Sequence, residues 1–359
     1  MDRNRSWGHG KPMKAVVLTG SAGALGQRVL GRLAAHPDVE DVVGLDVVPD
    51  QGPSTIGVAT RQVDLLHDDL GADLEGRDTL VHLASVFAPE RRGNEPSIDV
   101  ELTRRVLDAA RRAGTRHVVL ISSATVYGAW PDNPVPLTEE SPLRPNDGFT
   151  YAVDKLRIEE LAAELRTSSP GTSVAVLRPT VALAEEERSW VSEALASAAS
   201  VHAGDTDPPS QFLHFDDLAD AVVLAADRGL DGAYNVAPDG WIPPDRMRAF
   251  ATLPQPRVPV WVADQVARWR WRLGLTATPP EILPWTIHPW VVANDRLRAE
   301  GWTPAHSNEE AYVMCTEPGP LDTLSPKRRQ EIALAVAGGA LVAAGAGVAA
   351  VVRRQMGSR

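Results

Sequence analysis

Ser123, Tyr151 and Lys155 have the residue types and the spacing needed to interconvert an alcohol and a ketone. Tyr151 and Lys155 are four residues apart in a segment of helical periodicity, which places both side chains on one helix face. Ser123 ends an apolar run that begins at His117 and is typical of a buried parallel strand. We predict that Tyr151 exchanges the alcohol proton, that Lys155 stabilises the tyrosinate, and that Ser123 hydrogen-bonds the substrate oxygen. Because Tyr–Lys pairs of this spacing also arise by chance on helix surfaces, the assignment depends on the surrounding elements.

A glycine-rich turn near the N-terminus supplies such a context. The apolar run from Ala15 to Leu18 leads into Gly20, Gly23 and Gly26, and a segment with helical periodicity follows. Glycines at these positions permit a tight strand-to-helix turn, close approach of a pyrophosphate, and close packing of the helix on a sheet. Phosphates then meet the helix N-terminus. The pattern predicts the start of a dinucleotide-binding unit rather than a merely flexible turn.

Asp46 follows a second apolar run, Val42 to Leu45, and no arginine comes directly after it. An acid at this position can accept hydrogen bonds from both ribose hydroxyls of an adenosine and would repel a 2′-phosphate. We therefore predict NAD as the cofactor rather than NADP. The positive nicotinamide ring would add to Lys155 in lowering the pKa of Tyr151 from about 10.

Strands and helices alternate along the chain as far as Val236. The predicted strands include Arg61–Leu65, Asp78–Ala84, His117–Ser123, Val174–Arg178 and Gly232–Val236. The predicted helices are Thr103–Ala113, which Gly114 ends, and Tyr151–Leu165; Gln211–Leu224 is predicted as a strand followed by a helix that Asp216 or Asp217 caps. This alternation predicts an α/β fold with a doubly wound parallel sheet, which binds ligands at the carboxyl ends of its strands.

The sequence divides into five predicted parts. Residues 1–12 form a disordered leader, 13–184 a dinucleotide-binding domain, 185–315 a substrate lobe, 316–331 a linker and 332–352 a membrane anchor. Between about residues 211 and 237 the chain is predicted to return from the lobe to the sheet. The lobe is marked by frequent prolines and tryptophans from Trp241 onward.

The predicted anchor, Ile332 to Val352, has no charged or strongly polar side chain over 21 residues. At about 1.5 Å per residue it would span about 31 Å as a helix, close to the hydrocarbon core of a bilayer. Basic residues flank it on both sides, at Lys327, Arg328, Arg329, Arg353 and Arg354. We predict one transmembrane helix with the catalytic part in the cytoplasm, where NAD is available. The alternative is a soluble Ala/Gly-rich helix, because alanine is only weakly apolar.

Composition excludes some partners. The net charge of −11 argues against a phosphate-backbone partner, so we predict no nucleic-acid binding. Cys315 is the single cysteine and can form neither an internal disulfide nor a multi-cysteine metal site. Since the histidines also lack ligand-like spacing, we predict no metal site and expect a small-molecule substrate.

Several linked motifs between about Met13 and Trp302 resemble those of the extended short-chain dehydrogenase/reductase family, in its NAD-dependent epimerase/dehydratase group. They are TGSAGALG with GLD, DTLVHLAS, TRRVLDAARRAGTRHVVLISSATVYG, YAVDK, LRPT and FLHFDDLADAV. The resemblance implies a Rossmann-type domain with a small C-terminal substrate lobe, tightly bound NAD and a homodimer. By position, Ser123, Tyr151 and Lys155 resemble the family's catalytic residues. The predicted cofactor-binding residues are Gly20, Gly23, Ala24, Leu25, Gly26, Asp46, Asp64, Leu65, Leu83, Ala84, Tyr151, Lys155 and Pro179.

Two departures from the family pattern bear on the substrate. In sugar nucleotide members an arginine that helps to clamp the diphosphate usually precedes the aromatic residue found here at Phe212, whereas this chain has Ser210 and Gln211. The interval from Arg178 to His214 is also short for the usual nucleotide-binding loop. A smaller, uncharged substrate would not require the missing charge-assisted contact.

The sequence leaves three functions open. The first is an epimerase/dehydratase-type oxidoreductase acting on a secondary alcohol of a sugar or sugar nucleotide. The second, which the predicted anchor and the Trp-rich lobe favour, is a membrane-tethered NAD-dependent dehydrogenase of a lipid- or sterol-like alcohol. The third is a non-catalytic NAD-binding redox sensor, although the complete Ser–Tyr–Lys set argues against it. The role of Asp64 is also open, between an adenine contact and a turn cap.

Overall fold

The computed structural model describes residues 13–48, 58–86, 97–185, 190–198, 202–205, 207–250, 257–276 and 278–315. The strands within these ranges are β1 (Ala15–Thr19), β2 (Asp41–Asp46), β3 (Val58–Gln62), β4 (Thr79–His82), β5 (His117–Ile121), β6 (Ser173–Pro179), β7 (Val181–Leu183), β8 (Phe212–His214) and β9 (Gly232–Val236). The helices are α1 (Ala24–Ala34), α2 (Gly71–Leu74), α3 (Ile98–Ala113), α4 (Thr150–Ser168), α5 (Trp190–Ala198), α6 (Phe215–Arg228), α7 (Pro244–Ala249), α8 (Val260–Arg272), α9 (Asp295–Ala299) and α10 (Asn308–Cys315). Two 3-10 helices span Ala124–Tyr127 and Pro280–Thr286.

Seven strands form one parallel sheet in the order β3-β2-β1-β4-β5-β6-β9. The chain runs outward from β1 through β2 and β3, crosses to β4, and then continues outward through β5 and β6. The reversal lies between β1 and β4, where sheets of this kind bind ligands at the carboxyl ends of the strands. The predicted α/β fold with a doubly wound parallel sheet is thus confirmed.

Alternate residues of the central strand face two different helix layers. Val16 and Leu18 pack with residues of α1 and α6, whereas Val17 packs in the cluster formed with α3 and α4. Both faces of the sheet are therefore covered, which explains why its strands are almost continuously apolar rather than alternating.

A third apolar cluster joins the sheet to the lobe. It contains Phe149 and Trp285, whose ring centroids lie 4.8 Å apart in an edge-on arrangement, together with Tyr127 and Phe212. The lobe tryptophans differ in burial. Trp285, Trp290 and Trp302 are buried, Trp271 is half-buried, and Trp241, Trp261 and Trp269 are exposed. Core packing therefore explains only some of the tryptophans.

Several predicted boundaries differ from the observed ones. Helix α3 begins at Ile98, five residues before the predicted start at Thr103, and two acids in its first turn favour that N-terminus. The strand predicted at Arg61–Leu65 lies instead at Val58–Gln62, so that Asp64 and Leu65 occupy the following turn. Gly114 ends α3 as predicted, with a φ of 71°.

The predicted cap of α6 is wrong. His214 is the N-cap residue, and its Nδ1 accepts the backbone N–H of Asp216 at 3.2 Å. An imidazole nitrogen can accept this hydrogen bond as a carboxylate would. Asp216 instead pairs with Arg28 and Arg32, and Asp217 accepts backbone N–H groups from Ala305 and His306 at 2.7 and 3.1 Å.

In the described part of the chain, no helix combines the length and the apolar character needed to cross a membrane. The predicted leader, linker and anchor, at 1–12, 316–331 and 332–352, lie outside the described residues.

Two buried histidines are predicted to make the fold sensitive to acid. Burial lowers the pKa of His117 to about 4 and that of His82 to about 3. The unfolded chain protonates each histidine near pH 6.5, so between pH 6.5 and about 4 it binds more protons than the folded chain. Each histidine should then remove up to about 1.4 kcal/mol of stability per pH unit as the pH falls.

Urea unfolding of the detergent-purified protein at pH 7, 6 and 5 tests this expectation. His117→Gln should reduce the slope of the unfolding free energy against pH by an amount that corresponds to about one proton. His67→Gln, at an exposed position, controls for the loss of a histidine as such. An unchanged slope in His117→Gln would show that this histidine is not responsible.

Candidate active site

One cavity of about 800 Å³ lies at the carboxyl ends of the central strands. Every residue predicted from the sequence to bind cofactor or to act in catalysis lines it, from the glycine turn at one side to Ser123, Tyr151 and Lys155 at the other. These residues come from seven separate segments of the chain. The structure therefore brings the two predicted sites together in a single volume, while the individual roles stay predictions.

The glycine turn is held by close backbone packing. Gly20 has a φ of 76°, and a Cβ there would lie 2.6 Å from the backbone nitrogen of Ala84. A Cβ at Gly26 would lie 2.0 Å from the carbonyl oxygen of Gly20. Side chains are thus excluded at both positions by the protein itself. Gly23 differs, because its nearest neighbour is 3.7 Å away, so the fold alone does not require a glycine there.

Gly23 is also the N-cap residue of α1, and no side chain caps the helix at this point. The first turn of α1 carries no acidic residue, and Gly23, Ala24 and Leu25 all line the cavity. The positive end of the α1 dipole therefore borders the cavity, and no carboxylate in the first turn of α1 neutralises it. Both features favour the binding of an anion.

Asp46 ends β2 and lines the same side of the cavity. Its two carboxylate oxygens accept backbone N–H groups of Ala22 and Val48, at 2.9 and 3.0 Å. These two bonds fix the carboxylate beside the glycine turn, and each oxygen keeps further acceptor capacity. The geometry is compatible with the predicted contact to ribose hydroxyls.

Asp64 acts as a turn cap in this structure. Its carboxylate accepts the backbone N–H of Leu66 at 2.9 Å and contacts His67 Nδ1 at 2.8 Å. The hydrogen bond with His67 lowers the pKa of Asp64. The cap does not exclude an adenine contact, since Asp64 and Leu65 both line the cavity.

The predicted catalytic residues meet at the junction of β5 and α4. Ser123 Oγ accepts hydrogen bonds from the backbone N–H and the hydroxyl of Thr125, at 3.2 and 3.0 Å, and is also hydrogen-bonded to Tyr151. Lys155 Nζ lies 5.6 Å from the centroid of the Tyr151 ring and 3.5 Å from the carbonyl oxygen of Ile121. Tyr151 and Lys155, four residues apart on α4, therefore lie close to Ser123, which follows β5, as the sequence predicted.

The pKa of Tyr151 departs from the sequence prediction. That prediction included a positive nicotinamide ring; for the protein alone, burial raises the pKa of Tyr151, and Asp99 raises it further. The hydrogen bond with Ser123 acts in the opposite direction without reversing the shift. Tyr151 is therefore a protonated hydroxyl in this structure.

Asp99 is a site residue that the sequence analysis missed. It lies buried in the first turn of α3, and its Oδ2 is 3.9 Å from Lys155 Nζ. The same carboxylate accepts hydrogen bonds from Ser85 and from the backbone N–H of Val86. Burial lowers the pKa of Lys155, and Asp99 with Asp154 opposes that effect. Asp99 thus favours a charged ammonium at Lys155.

The sequence analysis also missed a buried ion pair that contacts Ser122, the neighbour of Ser123. Arg178 Nη2 lies 2.6 Å from Glu159 Oε2, and Arg178 Nε donates to the same carboxylate. Ser122 donates to Glu159 Oε1, and Arg178 Nη1 donates to the hydroxyl of Tyr127 at 2.8 Å. A signal was present, since Glu159 continues the spacing of four residues from Tyr151 through Lys155.

The described residues of the remaining wall of the cavity are uncharged. Val191, Ser192 and Leu195 of α5 line it with Val181 and Ala182. Among the described residues that line the cavity, the charged ones are Asp46 and Asp64 on the predicted cofactor side and Lys155 beside Tyr151 and Ser123, and none of them belongs to the α5 wall.

Gln211 has a structural role. It directly precedes Phe212, in the stretch where sugar nucleotide members of the family usually have an arginine. Its side-chain amide donates to the carbonyl oxygens of Gly240 and Val292, at 2.7 and 2.9 Å, and accepts the backbone N–H of Val292 at 2.8 Å. This buried side chain therefore ties β8 to two other segments of the lobe.

Away from this cavity, ligand-capable atoms of His36, Asp38 and Asp227 lie within 4.8 Å of one another. Asp38 is exposed and the other two are half-buried. The sequence spacing does not indicate this group, because Asp227 comes from the distant helix α6.

Comparison with known proteins identifies the family. The sequence model of the NAD dependent epimerase/dehydratase family matches residues 16–237. An uncharacterized protein of Mycobacterium tuberculosis is 26% identical over 317 residues, which cover 85% of this chain and 84% of that protein. The N-acetyl-alpha-D-glucosaminyl-diphospho-ditrans,octacis-undecaprenol 4-epimerase of Escherichia coli O157:H7 is 30% identical over 182 residues, or 48% of this chain and 50% of that protein.

The fold has counterparts among solved structures. The UDP-glucose 4-epimerase of Thermus thermophilus, in complex with NAD, superposes with a TM-score of 0.61 at 21% sequence identity and covers 84% of this chain and 97% of its own. At this identity the similarity concerns the fold. The family match, which spans more than half of the chain, shows that the protein belongs to the NAD dependent epimerase/dehydratase family and is an NAD-dependent enzyme of the extended short-chain dehydrogenase/reductase type.

Proposed function

We propose that the protein catalyses the reversible oxidation of a secondary alcohol on a sugar substrate, in a reaction of the epimerase/dehydratase type. The observation that carries this proposal is the single cavity that joins Asp46 and the glycine turn to Ser123, Tyr151 and Lys155. One end suits a dinucleotide, and the other holds groups that exchange a proton with an alcohol.

NAD fits the cofactor side of the cavity. The turn from Gly20 to Gly26 would take the pyrophosphate at the N-terminus of α1, and Asp46 would accept the adenosine ribose hydroxyls. Lys155 would hold the nicotinamide ribose. When bound, NAD supplies the carbon that accepts the hydride from the alcohol and can return it.

Tyr151 is the proposed proton-transfer group. Its raised pKa keeps the hydroxyl protonated, so that Tyr151 holds the proton that the substrate oxygen takes up when a ketone is reduced. In the oxidative direction Tyr151 must first ionise, and the ammonium of Lys155 favours the tyrosinate. Ser123, already hydrogen-bonded to Tyr151, would hold the substrate oxygen near the same hydroxyl.

A lipid- or sterol-like alcohol is the second candidate substrate. Two observations favour it. The α5 wall is uncharged, and the side chain of Gln211 is used in hydrogen bonds within the lobe. The described lining residues on that side therefore offer no cation for a diphosphate. The Escherichia coli relative is named for a sugar carried on an undecaprenol diphosphate, which combines a sugar with a lipid. A lipid-linked sugar would reconcile the two candidates, provided that its diphosphate lies outside the uncharged α5 wall.

The small molecules released from detergent-purified, full-length protein test the proposal. We expect mass spectrometry and absorbance to detect NAD. Conversion of an added UDP-hexose or polyprenyl-diphosphate-linked hexose to its epimer or keto product would support the first candidate. Steady NADH production from an apolar secondary alcohol would support the second. Failure to bind NAD would contradict both.

Asp46→Ala is predicted to weaken NAD binding by about 10-fold and to reduce the preference for NAD over NADP. The substitution removes two ribose hydrogen bonds and the charge that repels a 2′-phosphate, a loss of about 1.4 kcal/mol or more. Titration of both cofactors into wild type and variant measures the effect. Asp38→Ala, at an exposed site, is the control. An unchanged ratio of the two affinities would refute the ribose contact.

The homodimer that the family resemblance implies stays a proposal. Light scattering of the purified protein would establish its mass.

A further inference from the structure

Helix α8 carries a row of exposed apolar side chains. Trp261 is 71% exposed, Val266 49%, Trp269 60% and Leu273 55%, and Leu275 just beyond the helix is 58% exposed. Val266, Trp269 and Leu273 follow one another at spacings of three and four residues, which places them on one face. We call the stripe of Val266, Trp269 and Leu273 the α8 face; Trp261 and Leu275 are exposed near the two ends of the helix. Large apolar groups concentrated on one element indicate an interaction surface rather than scattered exposure.

The same helix is basic in an acidic chain. It carries Arg268, Arg270 and Arg272 with Asp264 as its single acid, whereas the whole chain has a net charge of −11. Arg268 pairs with Asp264 at 2.9 Å, and all three arginines are exposed. Exposed tryptophans interleaved with arginines are typical of helices that lie in the headgroup region of a membrane, where indole rings and guanidinium groups bridge apolar and polar layers.

The chain also contains an apolar segment that fits a bilayer. Residues 332–352 begin 17 positions after Cys315, where the described part ends, and have basic residues on both sides. A linker of that length reaches at most about 60 Å when fully extended. An anchor at 332–352 would therefore hold Cys315 within about 60 Å of the membrane surface.

We propose that 332–352 anchors the protein and that the α8 face docks on the anionic cytoplasmic surface of that membrane. The docking depends on the tryptophan and arginine face and not on the reaction proposed above. Anionic lipids suit the three arginines, and the tryptophans supply apolar area to the headgroup boundary.

Docking would also orient the cavity. Helix α8 packs on the 3-10 helix Pro280–Thr286, which packs on α5, and α5 lines the substrate side of the cavity. The docked face is thus connected to the substrate wall through a single intervening element. A substrate carried on a lipid would approach the cavity from that side.

Depth-dependent quenching tests the docking in the full chain. The protein, with an environment-sensitive NBD label at Trp269→Cys, is reconstituted into vesicles of phosphatidylcholine and phosphatidylglycerol. The same label at Arg112→Cys, an exposed position on α3, is the control, and the native Cys315 is buried. Quenching is measured with nitroxide-bearing lipid and with iodide on both sides of the membrane.

We expect lipid nitroxide to quench the label at position 269 several-fold more strongly than the label at 112, and iodide to show the opposite order. Free access of iodide to both labels would overturn the proposal. Protection of position 269 from iodide without lipid quenching would also overturn it, because a second copy or the chain's own apolar segment would then cover the face. Substituting phosphatidylcholine for the phosphatidylglycerol should reduce the lipid quenching, since the arginines lose their anionic partners.

Discussion

Tyr151→Phe is expected to reduce turnover by about 10³-fold while NAD stays bound, because general acid–base groups typically contribute 10²- to 10⁴-fold. The substitution removes only the hydroxyl that exchanges a proton with the substrate. The phenyl ring keeps its contacts in the apolar cluster that includes Phe149, whose ring centroid lies 5.7 Å from that of Tyr151. The variant therefore tests the role of the hydroxyl in catalysis without changing the packing of the ring.

Two measurements on the purified variant decide the assignment. Turnover is measured with the substrate that the released small molecules, or the assays with added hexoses and apolar alcohols, have identified. Bound NAD is quantified after denaturation. Tyr312→Phe, which removes a hydroxyl from a half-buried tyrosine of the lobe, is the matched control and should keep wild-type turnover. Wild-type turnover in Tyr151→Phe would refute the catalytic assignment. A wild-type protein that binds NAD but turns over none of the tested alcohols would favour the redox sensor instead.

The sequence was sufficient to predict residues around the glycine turn that line one cavity, although their binding roles stay predictions. The short apolar runs at β1 and β2 are buried on both faces of the sheet, so their hydrophobicity is uninterrupted and easily recognised. Gly20 and Gly26 are required by backbone contacts that any such strand-to-helix turn must make. Local pattern and tertiary packing agree here, and the predicted residues therefore converge on one cavity.

The parts that the sequence did not predict depend on contacts between distant segments. Asp99 approaches Lys155 from another helix, and Arg178 reaches Glu159 from a strand. The sequence spacing does not mark Asp99 or Arg178, because each reaches its partner only when the fold brings distant segments together. The pKa of Tyr151 is a similar case, since burial by the surrounding fold outweighs the local charge pattern.

Removal of the Glu159 carboxylate is expected to destabilise the protein by about 3–5 kcal/mol, since it leaves a buried guanidinium without its counter-charge. Both side chains are buried, and the carboxylate accepts hydrogen bonds from Arg178 and Ser122. Arg178 in turn donates to Tyr127, which donates to Asn235 Oδ1 at 2.8 Å. Burial raises the pKa of Tyr127 to about 12, so its hydroxyl stays protonated and the network keeps its donors.

A double-mutant cycle distinguishes this coupling from simple loss of packing. Urea unfolding is measured for Glu159→Met, Arg178→Met and the double variant, with Glu160→Met at the adjacent exposed position as control. We expect each single variant to lose several kcal/mol and the double variant to lose less than their sum, because it buries no unpaired charge. Additive losses would contradict the coupling. Ser122 precedes Ser123, the proposed catalytic serine, and Tyr127 ends the 3-10 helix that Ser123 caps. We therefore also expect the folded single variants to lose turnover at unchanged NAD affinity.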